Sequence, residues 1–176
     1  MAANRKAAMC KRRISSFLVC CLALLAAALP AGIALTGPAV AQTQPPKQFL
    51  LGIYKQYTGK DARGLDRVGR DKASRYFDDA LTDLIVRDQD ESEGELGRLG
   101  FDPFVNGQDF EIRDVGITVS PEEGDRVRAT ASFVNFGRRQ RVFYDLVRTE
   151  KGWRISNISW PGTKETLLSI MSGPRL

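Results

Sequence analysis

The sequence predicts an α+β fold: N-terminal helices packed on a curved antiparallel sheet of about four strands, with a short C-terminal helix. Three observations predict it. Apolar residues recur at helical spacing as far as Ile85, and at strand spacing from Phe110 onward. Turn signals then divide the chain every ~10–15 residues, the rhythm of an antiparallel meander. Alternation slips once near Arg113-Asp114 and once before Ile158, and such slips read as bulges that bend a strand.

Residues 1–41 read as a signal peptide. Arg5, Lys6, Lys11, Arg12 and Arg13 form a basic n-region without an acid, and Ile14 to Leu29 is apolar. Ala39-Val40-Ala41 matches a small-x-small cleavage pattern before Gln42. The expected location is therefore periplasmic or secreted, after cleavage near Ala41. A retained anchor is the alternative, because Ile14 to Leu35 reaches the ~20 residues a bilayer core requires. Arg12-Arg13 is only a weak twin-arginine cue, and Val19 stands where a lipobox before Cys20 would need a small residue.

The leader explains the charge. The chain carries 26 Lys+Arg against 21 Asp+Glu, and the five leader cations account for the whole excess. The remainder is balanced, so the basic character argues for export rather than nucleic-acid binding. Cys10, Cys20 and Cys21 all lie in the leader, and the chain has no His. Disulfides, a Cys nucleophile, a Ser-His-Asp triad and His/Cys zinc sites are thereby excluded from the mature part. Carboxylates, Tyr, Lys, Ser and Thr remain for catalysis, and oxygen ligands for a metal.

Residues 42–46 read as a linker and 47–176 as a single domain. A helix is expected from Lys47, where Phe49, Leu50, Ile53, Tyr54 and Tyr57 make one stripe before Thr58-Gly59. Lys60 to Gly69 is a loop. Asp71 is expected to cap a second helix that carries Ala73, Tyr76, Phe77, Ala80, Leu81, Leu84 and Ile85. Asp78, Asp79, Asp83 and Asp88 read as its solvated flanks. Residues 88–95 are acidic but lack the ligand spacing of a calcium loop. Leu96 to Gly100 reads as a short helical turn.

Phe101-Asp102-Pro103-Phe104-Val105-Asn106-Gly107-Gln108-Asp109-Phe110 joins the two halves. Asp102 is held extended by Pro103, and its carboxylate suits nearby backbone N–H groups. Asn106-Gly107 is a turn dipeptide. Phe101, Phe104 and Phe110 are expected to plug the turn into the core. Two readings of the polar residues stand: they satisfy an irregular backbone, or Gln108 and Asp109 line a pocket.

Four strands follow. Phe110 to Val119 contains the first slip, and Pro121 to Gly124 turns the chain. Val127, Ala129, Ala131 and Phe133 alternate up to the turn at Asn135-Phe136-Gly137. Val142, Tyr144 and Leu146 alternate against Phe143, Asp145 and Val147. After Glu150-Lys151-Gly152, the last strand carries Trp153, Ile155, Ile158 and Trp160. The tryptophans read as packing residues, with ligand stacking as the alternative. Arg138-Arg139-Gln140-Arg141 reads as a solvated hairpin end or as a patch for anionic lipid or glycan. Thr163 is expected to cap the final helix.

Tyr54-Lys55-Gln56-Tyr57, Phe101 to Asp109 and Val142 to Ile158 together resemble the bacterial family called domain of unknown function 3828. That family is similar to the nuclear transport factor 2-like superfamily, a cone-shaped α+β fold. The likeness covers most of Lys47 to Ile170 and implies a cone of helices over a curled sheet. Superfamily members include enzymes and binding modules, so the fold does not choose between them. The resemblance implies the fold and export more than an activity; the reading preferred here is an exported, non-catalytic binding or accessory domain for a small ligand or an envelope protein, with a homodimer allowed. Neither a cofactor nor a metal is expected, nor a nucleic-acid partner. Membrane contact is expected only through an uncleaved leader. The candidate pocket or turn residues are Tyr54, Asp102, Asn106, Gln108 and Asp109. The alternatives are an envelope interaction module and an isomerase- or dehydratase-like enzyme. In the enzyme, Asp109 or Asp102 would be the base and Tyr54 or Tyr144 the donor. The His of many dehydratase relatives is missing.

Overall fold

The computed structural model describes residues 44–93, 95 and 97–174, and the expected signal peptide lies outside them. Helix α1 spans Pro46–Tyr54 and buries Leu50, Ile53 and Tyr54. It starts one residue before the expected position, because proline at the first helical position lacks an N–H that would be unpaired there anyway. A tighter 3-10 turn, Lys55–Tyr57, extends it and buries Tyr57.

The single second helix expected from Asp71 is two helices. α2, Arg70–Ala73, is one turn long and capped by Gly69, with Asp71 inside it. α3 spans Asp79–Ser92. Between them the chain straightens to pair with the sheet: Ile155 N donates to Tyr76 O (2.8 Å) and Asp78 N to Ile155 O (3.0 Å). Asp78 then caps α3 by accepting from Leu81 N at 2.9 Å, so it is a structural acceptor rather than a solvated flank. Asp88, expected on the same flank, is buried. Its carboxylate accepts from Arg98 N and pairs with Arg98 Nη1 at 2.8 Å. That grip replaces the helical turn expected before Gly100: residues 97–100 are not helical.

The sheet is the antiparallel meander β1 (Ile112–Val119), β2 (Arg126–Asn135), β3 (Arg138–Thr149) and β4 (Gly152–Ser159), in that spatial order. The first bulge falls between Arg113 and Gly116, with Asp114 at φ 58°. The second faces the Asp145/Leu146 step of β3. Val119, Ala129, Tyr144 and Ile158 form one row on the inner face; Thr118, Thr130, Phe143 and Ser159 form the neighbouring row outside. The inner face is buried with α1, the Phe101–Phe110 turn, α3 and α4 in one hydrophobic core. α4 spans Leu167–Ser172 and is capped by Thr166 through a reciprocal box with Ser169. Thr163, the expected cap, instead accepts from Glu165 N, one turn too early. No helix among the described residues is long and apolar enough to cross a membrane.

Candidate functional site

The central turn closes on itself before it meets the core. Asp102 N donates to Gly107 O at 2.9 Å, and Asn106 takes the left-handed conformation at φ 51° that asparagine tolerates. Asp102 Oδ1 accepts from Phe104 N at 2.9 Å, the bond of an Asx turn. Phe104 is fully buried and lies against Tyr57, Phe77 and Tyr144. Phe101 and Phe110 are half-buried and pack edge-on to Trp160 and Tyr57.

Three side chains from other elements then fasten the turn. Trp160 Nε1 donates to Pro103 O at 2.9 Å. Tyr57 O–H donates to Asp102 Oδ2 at 2.8 Å, with Arg67 Nη1 3.7 Å from the same oxygen. Tyr54 O–H donates to Phe104 O at 2.8 Å, and its oxygen lies 2.8 Å from that of Tyr144. A tyrosine has one proton, and Phe104 O can only accept. The order is therefore fixed: Tyr144 donates to Tyr54, and Tyr54 donates to Phe104.

Burial sets the electrostatics of these phenols. It pushes Tyr54 well above the ordinary tyrosine range, against the bond from Tyr144 and with help from the Asp102 charge. Burial also raises Tyr57, reinforced by Asp102. Tyr144 is raised by burial first and by Tyr54 second. All three stay neutral at physiological pH. Both Asp102 oxygens accept hydrogen bonds, Oδ1 from Phe104 N and Oδ2 from Tyr57.

The structure thus brings two of the five sequence candidates, Tyr54 and Asp102, into one network, and Tyr144 joins them. Asn106, Gln108 and Asp109 are exposed and do not converge. Gln108 Nε2 donates to Gly100 O at 3.3 Å. Asp109 is exposed and contributes its backbone carbonyl, which accepts from Asn135 Nδ2 at 3.4 Å.

Open space lies on the other side of the sheet. A groove of roughly 690 Å³ crosses the outer face from the β1–β2 turn to α4. Arg128 and Asp145 are among its lining residues and are joined at 3.2 Å, with Asn157 opposite Asp145 and Pro121 and Leu168 also on the lining. Asn157 Oδ1 accepts from Ile158 N and Leu168 N, which ties α4 to the bulge in β4. Sequence reasoning missed this site; its signal was the polar parity of β2, β3 and β4, which marks an open face but not the register across it. A smaller cavity of roughly 170 Å³ lies beneath α3, edged by Arg67, Gln89, Leu99 and Met171. Among the described residues, no group of three or more acidic, His or Cys side chains is placed to hold a metal ion.

No family model matches the chain, and neither a curated protein nor a solved structure gives a match.

Proposed function

We propose that this chain is an exported, non-catalytic binding or accessory domain of the nuclear transport factor 2-like type, related to the domain of unknown function 3828 family. It acts in the periplasm or outside the cell after loss of its leader. Its ligand or envelope partner is taken on the outer face of the sheet. The observation that carries this reading is the open groove over β2, β3 and β4, where Arg128 and Asp145 form an accessible ion pair. Concave sites with a few convergent polar groups are the usual places for ligands. The inner face offers less, because Tyr54, Tyr57, Phe104 and Tyr144 fill it.

The enzyme reading has one observation in its favour: Asp102 and two tyrosines share a buried network. Against it, the donors and acceptors there are matched to one another. Native mass spectrometry of gently purified protein separates the two. Bound mass should be retained by the wild type and by Asp102→Asn, and lost in Arg128→Glu, which sets like charges opposite each other at Asp145. Retention that survives Arg128→Glu but not Asp102→Asn would move the site to the interior. Turnover abolished in Asp102→Asn with the fold intact would establish the enzyme instead.

A further inference from the structure

The β2–β3 hairpin ends in a two-residue loop that breaks a rule of turn chemistry. Phe136 and Gly137 both have positive φ, 45° and 77°. Asn, Asp or Gly normally fills the first of these positions, and a bulky aromatic there is strained. Phe136 is also 56 % exposed, so core packing does not account for it. The loop is nevertheless held firmly. Phe136 N donates to Glu111 O at 3.4 Å, and the Asn135 side chain accepts from Glu111 N at 2.8 Å while donating to Asp109 O.

Arginines surround this apex. Arg139 and Arg141 lie on the outer face, opposite Val134 and Ser132, and Arg138 sits on the other face opposite Asn135. All three are exposed, and none pairs with a carboxylate among the described residues. Neighbouring Arg113 is matched by Asp114 at 3.7 Å. The exposed acids Asp109 and Glu111 stand on the β1 side of the tip. On the β3 side, pairing with β4 begins only at Phe143, so residues 138–142 run unpaired with β4 for ~15 Å.

We infer that this hairpin tip is a docking element for an anionic lipid surface. Phe136 enters the headgroup layer, and Arg138, Arg139 and Arg141 meet the lipid phosphates. An exposed aromatic apex inside a collar of cations has the chemistry of that boundary, apolar at the point and charged around it. Guanidinium groups suit phosphate geometry through paired donors. A rigid apex also loses little conformational freedom on contact. This places membrane contact on the folded domain rather than on the leader alone.

The test is vesicle binding by the protein as it stands after loss of its leader, because the basic, apolar leader would bind vesicles by itself. Vesicles of phosphatidylglycerol and phosphatidylcholine should bind it in a salt-sensitive way, and pure phosphatidylcholine should not. Arg139→Gln with Arg141→Gln should weaken binding about thirtyfold, at ~1 kcal/mol per cation near an anionic surface. Phe136→Asn should also weaken it while raising stability, since asparagine accepts positive φ; a merely structural Phe136 would not separate these effects. In Phe136→Trp, emission from the apex should shift to the blue with anionic vesicles. Trp153 and Trp160 are buried, and the leader does not contribute to that signal. An unshifted apex, or binding unchanged in the arginine and Asn variants, overturns the inference. Equal binding to soluble polyglutamate would identify an acidic protein partner instead.

Discussion

The order of protons through Tyr144, Tyr54 and Phe104 makes two similar deletions unequal. Tyr54→Phe removes the middle of the relay. The Phe104 carbonyl loses its 2.8 Å donor, and the Tyr144 hydroxyl is left as a buried donor without an acceptor. Each orphaned group costs on the order of 1–3 kcal/mol, so the substitution should destabilise by about 3 kcal/mol. Tyr144→Phe removes only the outer donor. Tyr54 still donates to Phe104, no donor is stranded, and the cost should be about 1 kcal/mol. The double variant removes the stranded hydroxyl, so adding Tyr144→Phe to Tyr54→Phe should restore about 1 kcal/mol. Urea unfolding of the four proteins closes the double-mutant cycle. A Tyr144→Phe cost equal to or above that of Tyr54→Phe, or simple additivity, would refute the proton order and the rigid relay built on it.

Three further outcomes follow from the same geometry. Asp102→Ala strands Tyr57 O–H and Phe104 N and should cost about 3 kcal/mol in urea unfolding; Asp102→Asn keeps an acceptor for Phe104 N and lets Tyr57 reverse its bond, at about 1 kcal/mol. Gly97→Ala would drive its Cβ into the Asp88 carboxylate, which Arg98 holds in place, so it should destabilise by about 2 kcal/mol, whereas Gly100→Ala meets nothing within 4 Å and should not, both read from urea midpoints. Alkaline unfolding should be steep: above pH ~10 the unfolded chain releases protons from Tyr54, Tyr57 and Tyr144 that the native state keeps, so stability falls by up to ~4 kcal/mol per pH unit. It should be flat with respect to these groups below that pH, and Tyr57→Phe should reduce the slope by about a third.

Much of the architecture was legible because periodicity records which face of an element is buried. The switch from helical to strand spacing after residue 100, both bulges and the three hairpin turns could be read directly. What could not be read depends on partners far away in sequence. Tyr76 and Phe77 continue a helical stripe without a break, and only the edge of β4 shows that the chain must straighten there to pair with Ile155. Asp88 looks like any acid on a helix flank until Arg98 folds back over it.

The candidate site shows the same division more sharply. Aromatic and polar residues crowd the Phe101–Phe110 stretch, and that density marks a place where the chain is highly constrained. Constraint alone does not mark function here. Tyr57, Tyr54 and Trp160 spend their polar atoms on Asp102, Phe104 and Pro103, and each bond serves to hold the turn. Arg128 and Asp145 are spaced seventeen residues apart on neighbouring strands, and only the register of β2 against β3 sets them opposite each other in an open groove. Their exposed pair can exchange for a ligand at little cost to the fold, because surface ion pairs contribute ~0–1 kcal/mol to stability. A carboxylate already engaged by Tyr57 and Phe104 has no such freedom, and this difference is why the proposed ligand is placed on the outer face and not at the central turn.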